Sequence, residues 1–279
     1  MEFVKILFEL SLSENKNKIE SKNFFCKIQY FIHWNKYLKS YLQFNTIMRV
    51  LVFDTETSGL PKTKLLNPDT FHLWPHILQM SFVIYDTEEN DIVQSKDYII
   101  KVDETVIINE ETAKIHGITN EISQLNGIQL EYALKEFFYY LRNSDMLVGH
   151  NVSFDINMIK IELLRIIYLN KIKATKQTIS EIKQNLHYLT NYKNIVCTLQ
   201  DSIDLCNIKA VDKYGKTYAK WPRLLELHQK LFETIPNNLH NSFNDILVTL
   251  RCFIKMKMDI DLNEECNKFK NIVNQIGLF

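Results

Sequence analysis

The sequence predicts an α/β fold, a mixed five-stranded sheet with helices on both faces. Two observations point there. Three runs rich in Val, Ile, Phe and Tyr come first, at about 48–56, 78–86 and 94–101, the composition expected of paired strands. Helical and strand patterns then alternate, the order in which a chain adds parallel strands to a sheet through helical crossovers.

The first helix is expected over about 128–142, where Ile128, Leu130, Ala133, Leu134, Phe137, Phe138 and Leu141 recur at intervals of three and four. Met146–Gly149 reads as a short buried strand, 154–169 as a helix with Ile156, Ile159 and Leu163 turned inward, and 194–198 as the fifth strand. Helices are expected at about 222–232, 241–257 and 262–276. No internal repeat is visible.

Residues 1–47 differ in kind. They hold seven Lys against four Glu, with Phe24, Phe25, Tyr30, Phe31, Trp34, Tyr37 and Tyr41 at spacings that suit one amphipathic helix. At Met48 the text turns abruptly strand-like. The expected organisation is an N-terminal extension over 1–47, helical or partly disordered, a main domain over 48–258 and a helical tail over 259–279.

Lys plus Arg and Asp plus Glu both number 33, so net charge gives no overall attraction to a polyanion. Five cysteines, Cys26, Cys197, Cys206, Cys252 and Cys266, lie far apart with no CxxC pair. An odd, scattered set fits a reducing compartment and argues against a disulfide framework or a zinc site. No apolar run approaches the roughly 18 to 20 residues that cross a bilayer, and the first residues make a poor signal peptide. An intracellular, soluble protein with no membrane partner is expected.

Three segments carry candidate chemistry. Phe53-Asp54-Thr55-Glu56-Thr57-Ser58-Gly59-Leu60-Pro61 ends the first strand. Strand side chains alternate, so Asp54 and Glu56 face one way, about 6 to 7 Å apart. Two acids there repel unless a cation lies between them, and a hard ion such as Mg²⁺ suits carboxylate oxygens; a solvated strand end is the plainer alternative. Gly149-His150-Asn151-Val152-Ser153-Phe154-Asp155 opens a helix and places Asp155 near its start, where an acid also serves as a capping or dipole partner. His240-Asn241-Ser242-Phe243-Asn244-Asp245 opens another, with Asp245 in its first turns and His240 on the loop before it.

Taken in order, these segments resemble the three motifs of the DEDDh exonuclease family, which includes the proofreading epsilon subunit of bacterial DNA polymerase III, the TREX exonucleases, RNase T and oligoribonuclease. Asp54 and Glu56 match the first motif, Asp155 the second, and His240 with Asp245 the third. The matching stretch runs from about Met48 to about Lys257. Trp74–Ser81, Ala113–Thr119 and Trp221–Leu227 resemble weaker family segments. The departures are the N-terminal extension, a longer stretch between 168 and 193, and the tail.

The resemblance implies an RNase H-like fold and a metal-dependent 3′-to-5′ exonuclease that releases nucleoside 5′-monophosphates, with 48–258 as the exonuclease domain. Asp54, Glu56, Asp155 and Asp245 would hold two Mg²⁺ or Mn²⁺ ions, and His240 would be the general base. Thr55, Thr57, Gly59, Leu60, His116, Asn151 and Phe154 would line the terminal nucleotide, with Leu60 as a wedge; a structural turn is the equal alternative for His116. The implied substrate is the 3′ end of single-stranded or frayed DNA, with RNA as the alternative, and the implied partner a DNA polymerase or a replication or repair complex. An inactive nucleic-acid-binding module is the remaining reading. The basic stretch with Lys160, Arg165, Lys171, Lys173, Lys176 and Lys183 reads as a solvated helix face, with strand guidance as its second reading, and 1–47 as an extension or a nucleic-acid-binding arm.

Overall fold

The computed structural model describes residues 48–169 and 176–279, so the expectations for 1–47, Lys171 and Lys173 lie outside the described residues. The strands β1 (Arg49–Thr57), β2 (Ile77–Asp86) and β3 (Asp91–Ile99) form an antiparallel meander. β4 (Met146–Gly149) pairs parallel to β1, and β5 (Ile195–Cys197) parallel to β4. The order β3-β2-β1-β4-β5 is the mixed five-stranded sheet expected. β1 and β2 sit inside it because their apolar residues cover both faces: all ten residues of β2 are buried.

The longer helices among the described residues are α1 (Glu110–His116), α2 (Asn120–Asn126), α3 (Leu130–Arg142), α4 (Val152–Leu169), α5 (Lys176–Asn191), α6 (Leu224–Phe232), α7 (Ser242–Met258) and α8 (Asn267–Gln275), beside short ones of four residues. On one sheet face Leu51 and Phe53 of β1 meet α3 and α4 in a core with Phe82, Phe137, Ile159 and Leu163. The Phe137 ring lies 5.1 Å from that of Phe53 and 5.9 Å from that of Phe82, within the range where aromatic pairs add to burial. On the other face α7 packs along β1 and β2. It is buried continuously from Ile246 to Ile254, because α6 and the C-terminal segment pack against it as well.

That segment, set apart above as a tail, is built into the core. Arg251 of α7 is buried and donates from Nε and from a terminal nitrogen to both carboxylate oxygens of Asp261, each at 2.7 Å. Its guanidinium lies over the Phe279 ring, 4.4 Å from the centroid. The single helix expected over 262–276 is two, Leu262–Glu265 and α8. The break falls at Cys266, which is extended, and its Sγ accepts from the Phe269 N–H as a cap.

Four further elements were not expected. α1 and α2 are two-turn helices capped by Asn109 and Thr119, which accept from the Thr112 and Ile122 N–H groups. α5 packs Ile182, Leu186 and Leu189 on the α4 side of the core. A hairpin of β6 (Lys209–Val211) and β7 (Thr217–Ala219) stands apart from the main sheet.

The basic stretch needs one correction. Arg165 is not on a solvated face: it is buried and donates to Glu162 at 2.7 Å and to the carbonyls of Phe71, Trp74 and Pro75. A buried guanidinium persists only where its donors are matched in this way. Arg165 thereby ties the loop after β1 to α4. No helix among the described residues is long and apolar enough to cross a membrane.

Candidate active site

The alternation of β1 decides which acid goes where. Leu51, Phe53 and Thr55 turn toward α4, while Val50, Val52, Asp54 and Glu56 turn toward α7. Asp54 and Glu56 therefore meet the first turn of α7, which carries Asp245. Asp54, Glu56 and Asp245 each offer a carboxylate oxygen, all within 4.8 Å of one another.

The α7 end is held there by a buried polar network. The Ser242 N–H donates to Gln79 Oε1 (3.2 Å), and the Ser242 and Ser81 hydroxyls are hydrogen-bonded. Gln79 and Ser81 donate in turn to Asp97 at 2.8 and 2.7 Å. These positioning residues were not singled out in the sequence. The signal was there, however: two polar residues at alternate positions on one face of the apolar run Ile77–Asp86. Asn241 caps α7, accepting from the Phe243 and Asn244 N–H groups.

Asp155 arrives from the opposite side. It lies in the first turn of α4, buried, and its Oδ1 accepts from both the N–H (3.0 Å) and the hydroxyl (2.7 Å) of Thr55. Thr55 thus fixes Asp155 at the strand end. Asp155 is not within the three-acid cluster, but its charge acts on both Asp54 and Glu56. The approach of β4 to the start of α4 needs Gly149, where a Cβ would lie 3.0 Å from the Val152 side chain.

His240 is brought near by its backbone. Its N–H donates to Asp245 Oδ1 at 3.3 Å, with φ at 69°, and its side chain is exposed. Thr57 is buried and its hydroxyl donates to the Gly59 carbonyl; Gly59 takes φ 156°, a region suited to glycine. Leu60 beyond it is 82% exposed. Asn151 is exposed with φ 65°. Phe154 is partly buried and packs against the α4-side core. His116 is buried at the end of α1; its Nδ1 accepts from the Ile118 N–H. Its Nε2 makes no hydrogen bond of good geometry, and burial lowers its pKa, opposed by the nearby Thr57 backbone. His150 reaches the Pro222 carbonyl from Nε2 (3.1 Å) and Thr198 Oγ1 from Nδ1 (3.0 Å). Burial pushes its pKa down to about 4, so the ring is neutral and Nε2 carries the proton.

Burial and mutual repulsion load this strand end with protons. Burial first, then the Asp155, Asp245 and Glu56 charges, push Asp54 well above the ordinary carboxylate range. Glu56 rises to about 8, by burial and then by Asp245 and Asp155. Asp155 and Asp245 rise to about 7 by burial, opposed by the donors from Thr55 and from the His240 backbone. An all-oxygen donor set with this much repulsion is what a hard divalent cation relieves, so the residues present fit Mg²⁺ or Mn²⁺. A cavity of about 640 Å³ lined by Ile100, Val102 and Arg165 shares no residue with these acids and is separate from them.

Raised carboxylate pKa values have a measurable sign. The metal-free fold retains protons that the unfolded chain releases above about pH 4. The contribution of these acids to stability is therefore fullest below that pH and is lost as pH rises through about 7 to 8. The metal-free melting temperature should fall across that range. Mg²⁺ or Mn²⁺ should raise it most above pH 8, where no proton has to be displaced. A metal-independent profile would place the binding elsewhere.

Residues 51–253 match the family model described as Exonuclease, of the RNase T type. Among solved structures, Escherichia coli exonuclease I in complex with a dT13 oligonucleotide matches with a TM-score of 0.51 and 16% identity, over 76% of this chain and 42% of that one. A product-bound exonuclease I gives 0.51 and 14%, over 82% and 46%. A further exonuclease I structure, titled for how processivity is achieved, gives 0.50 and 16%, over 82% and 44%. This chain spans less than half the length of those structures, and at such identity the likeness shows the fold. No curated protein matches the sequence.

Proposed function

Because this chain belongs to the RNase T-type exonuclease family, we propose that it is a metal-dependent 3′-to-5′ exonuclease acting on single-stranded or frayed DNA ends. One observation carries the reading: Asp54, Glu56 and Asp245 converge within 4.8 Å, with Asp155 locked beside them by Thr55. Single-stranded DNA as the substrate is supported by the oligonucleotide in the exonuclease I structure named above.

In this reading Asp54, Glu56 and Asp245 would hold one divalent ion, and Asp155 beside them would help to hold a second. Such ions, when bound, supply charge neutralisation at the phosphate and a more acidic water. The protein's own groups do the rest. His240, exposed on a loop with a left-handed backbone, takes the proton from the attacking water, while its N–H keeps Asp245 in place. A general base worth two to four orders of magnitude suits imidazole chemistry. Thr55 keeps one Asp155 oxygen occupied, so only the other is free for a ligand. Leu60, exposed beyond the end of β1, would lie against the terminal base, and Thr57, Gly59, His116, Asn151 and Phe154 would line the end of the strand.

The test is a single-stranded DNA and a matched RNA, each labelled at the 5′ end, incubated with Mg²⁺ or Mn²⁺. Progressive shortening of the DNA from its 3′ end, abolished by EDTA, is expected. Internal cleavage, or turnover that survives EDTA, would overturn the reading, and preference for RNA would move the substrate class.

A further inference from the structure

The hairpin formed by β6 and β7 uses surface in a way that packing does not account for. Its seven turn and β7 residues 213–219 are all exposed, and β6 is covered only at Ala210. A two-stranded ribbon without an apolar face is marginal on its own. This one nevertheless presents Tyr214, Tyr218 and Trp221 at 81, 49 and 58% exposure. Its turn is well made: Gly215 takes φ 81°, the Asp212 carbonyl accepts from the Gly215 N–H, and Asp212 Oδ1 accepts from the Tyr214 and Lys216 N–H groups.

Charge accompanies the rings. Lys209, Lys213 and Lys216 are exposed, and among the described residues no carboxylate pairs with any of them. Lys220 at the root is different, since it is held by Glu226. The Lys213 ammonium lies 5.0 Å from the centroid of the Tyr214 ring, and lysines without carboxylate partners interleaved with exposed aromatics are the combination that follows a phosphate backbone and stacks on unpaired bases.

The root of the hairpin lies beside the acids' own scaffold. The Pro222 carbonyl, one residue past Trp221, accepts from His150, and His150 and Asn151 lead into the turn of α4 that carries Asp155. The three strand residues Lys209–Val211, at about 3.4 Å each, carry the turn roughly 10 Å out from there.

We propose that this hairpin binds single-stranded nucleic acid a few nucleotides upstream of the 3′ end held at the acids. The lysines supply sequence-independent attraction, and Tyr214 and Tyr218 supply stacking. This rests on the nuclease reading for the direction of the strand, though not for binding itself.

The experiment compares the parent with Lys213→Gln/Lys216→Gln and Tyr214→Ala/Tyr218→Ala. Fluorescence anisotropy on a labelled dT 20-mer in EDTA measures binding without hydrolysis. The lysine variant should lower the slope of log affinity against log salt by about 1.4, at roughly 0.7 per phosphate contact on a single strand. The tyrosine variant should bind about tenfold more weakly per stacking ring lost. With Mg²⁺, KM on the 20-mer should rise with kcat unchanged, while turnover of a trinucleotide, too short to reach the tip, stays within twofold. Retained trinucleotide turnover and melting temperature show that both variants are folded. Unchanged 20-mer affinity and salt slope in both variants would overturn the proposal. So would variants that keep full strand binding and lose only binding to anionic phospholipid vesicles. A parent that binds the 20-mer through the hairpin and hydrolyses nothing would sink the nuclease reading alone.

Discussion

Asp54→Asn should lower metal-dependent hydrolysis by on the order of 10⁴-fold, the scale seen when one member of a group that acts as a unit is removed. Asp54 is the acid on which the other three act: Asp155, Asp245 and Glu56 all raise its pKa, after burial. The substitution keeps the shape and takes away the charge. It should therefore cost the metal-free protein nothing, and above pH 8 its melting temperature should match or exceed the parent's, because a buried repulsion has been removed. Addition of Mg²⁺ should then raise that temperature less than in the parent. Loss of turnover through unfolding would look different, with a lower metal-free melting temperature. Near-normal turnover would exclude Asp54 from the site.

His240→Asn should lower kcat by about 10² to 10⁴-fold, the usual contribution of a positioned general base, with metal affinity unchanged. Asparagine is the better replacement than alanine here. His240 sits at φ 69°, a conformation that asparagine tolerates and that other L-residues with a Cβ adopt at a cost. The backbone N–H that holds Asp245 is then preserved, and only the imidazole is lost. The pH–rate profile should lose the limb that reports the base. A profile of unchanged shape, or a large loss of metal affinity, would show that His240 acts through Asp245 and not as the base.

The inner strands β1, β2 and β4 were legible because they are apolar on both faces over most of their length, and such runs leave little choice of structure. The long apolar helices α3, α4 and α7 were legible in the sequence, α3 from intervals of three and four. What escaped was built on weaker physics. α1 and α2 are seven residues each, too short for periodicity to speak, and are set by the Asn109 and Thr119 caps. α5 is mostly polar, its core contact coming from Ile182, Leu186, Tyr188 and Leu189. Arg165 read as surface because a charge normally is; three backbone carbonyls from residues ninety positions away take it inside.

The site was legible to a similar depth. Alternation along β1 could tell that Asp54 and Glu56 share a face, and the position of Asp245 in the first turn of α7 could be read from the Asn241 cap. Nothing local could tell that Thr55, on the other face, would bind Asp155 with both its amide and its hydroxyl. Nor could local pattern show that Gln79, Ser81 and Ser242 would join β2 to α7. Both are long-range polar pairings, and a sequence displays only their unpaired halves.

Anomalous scattering from crystals of the full chain grown with Mn²⁺ and a short single strand tests the central claim most directly. Two peaks about 3.5 to 4 Å apart, both touching Asp54, with Glu56, Asp245 and Asp155 around them and the His240 imidazole turned toward the terminal phosphate, are expected. Manganese bound away from the end of β1, or a His240 ring still facing solvent with the strand in place, would contradict it.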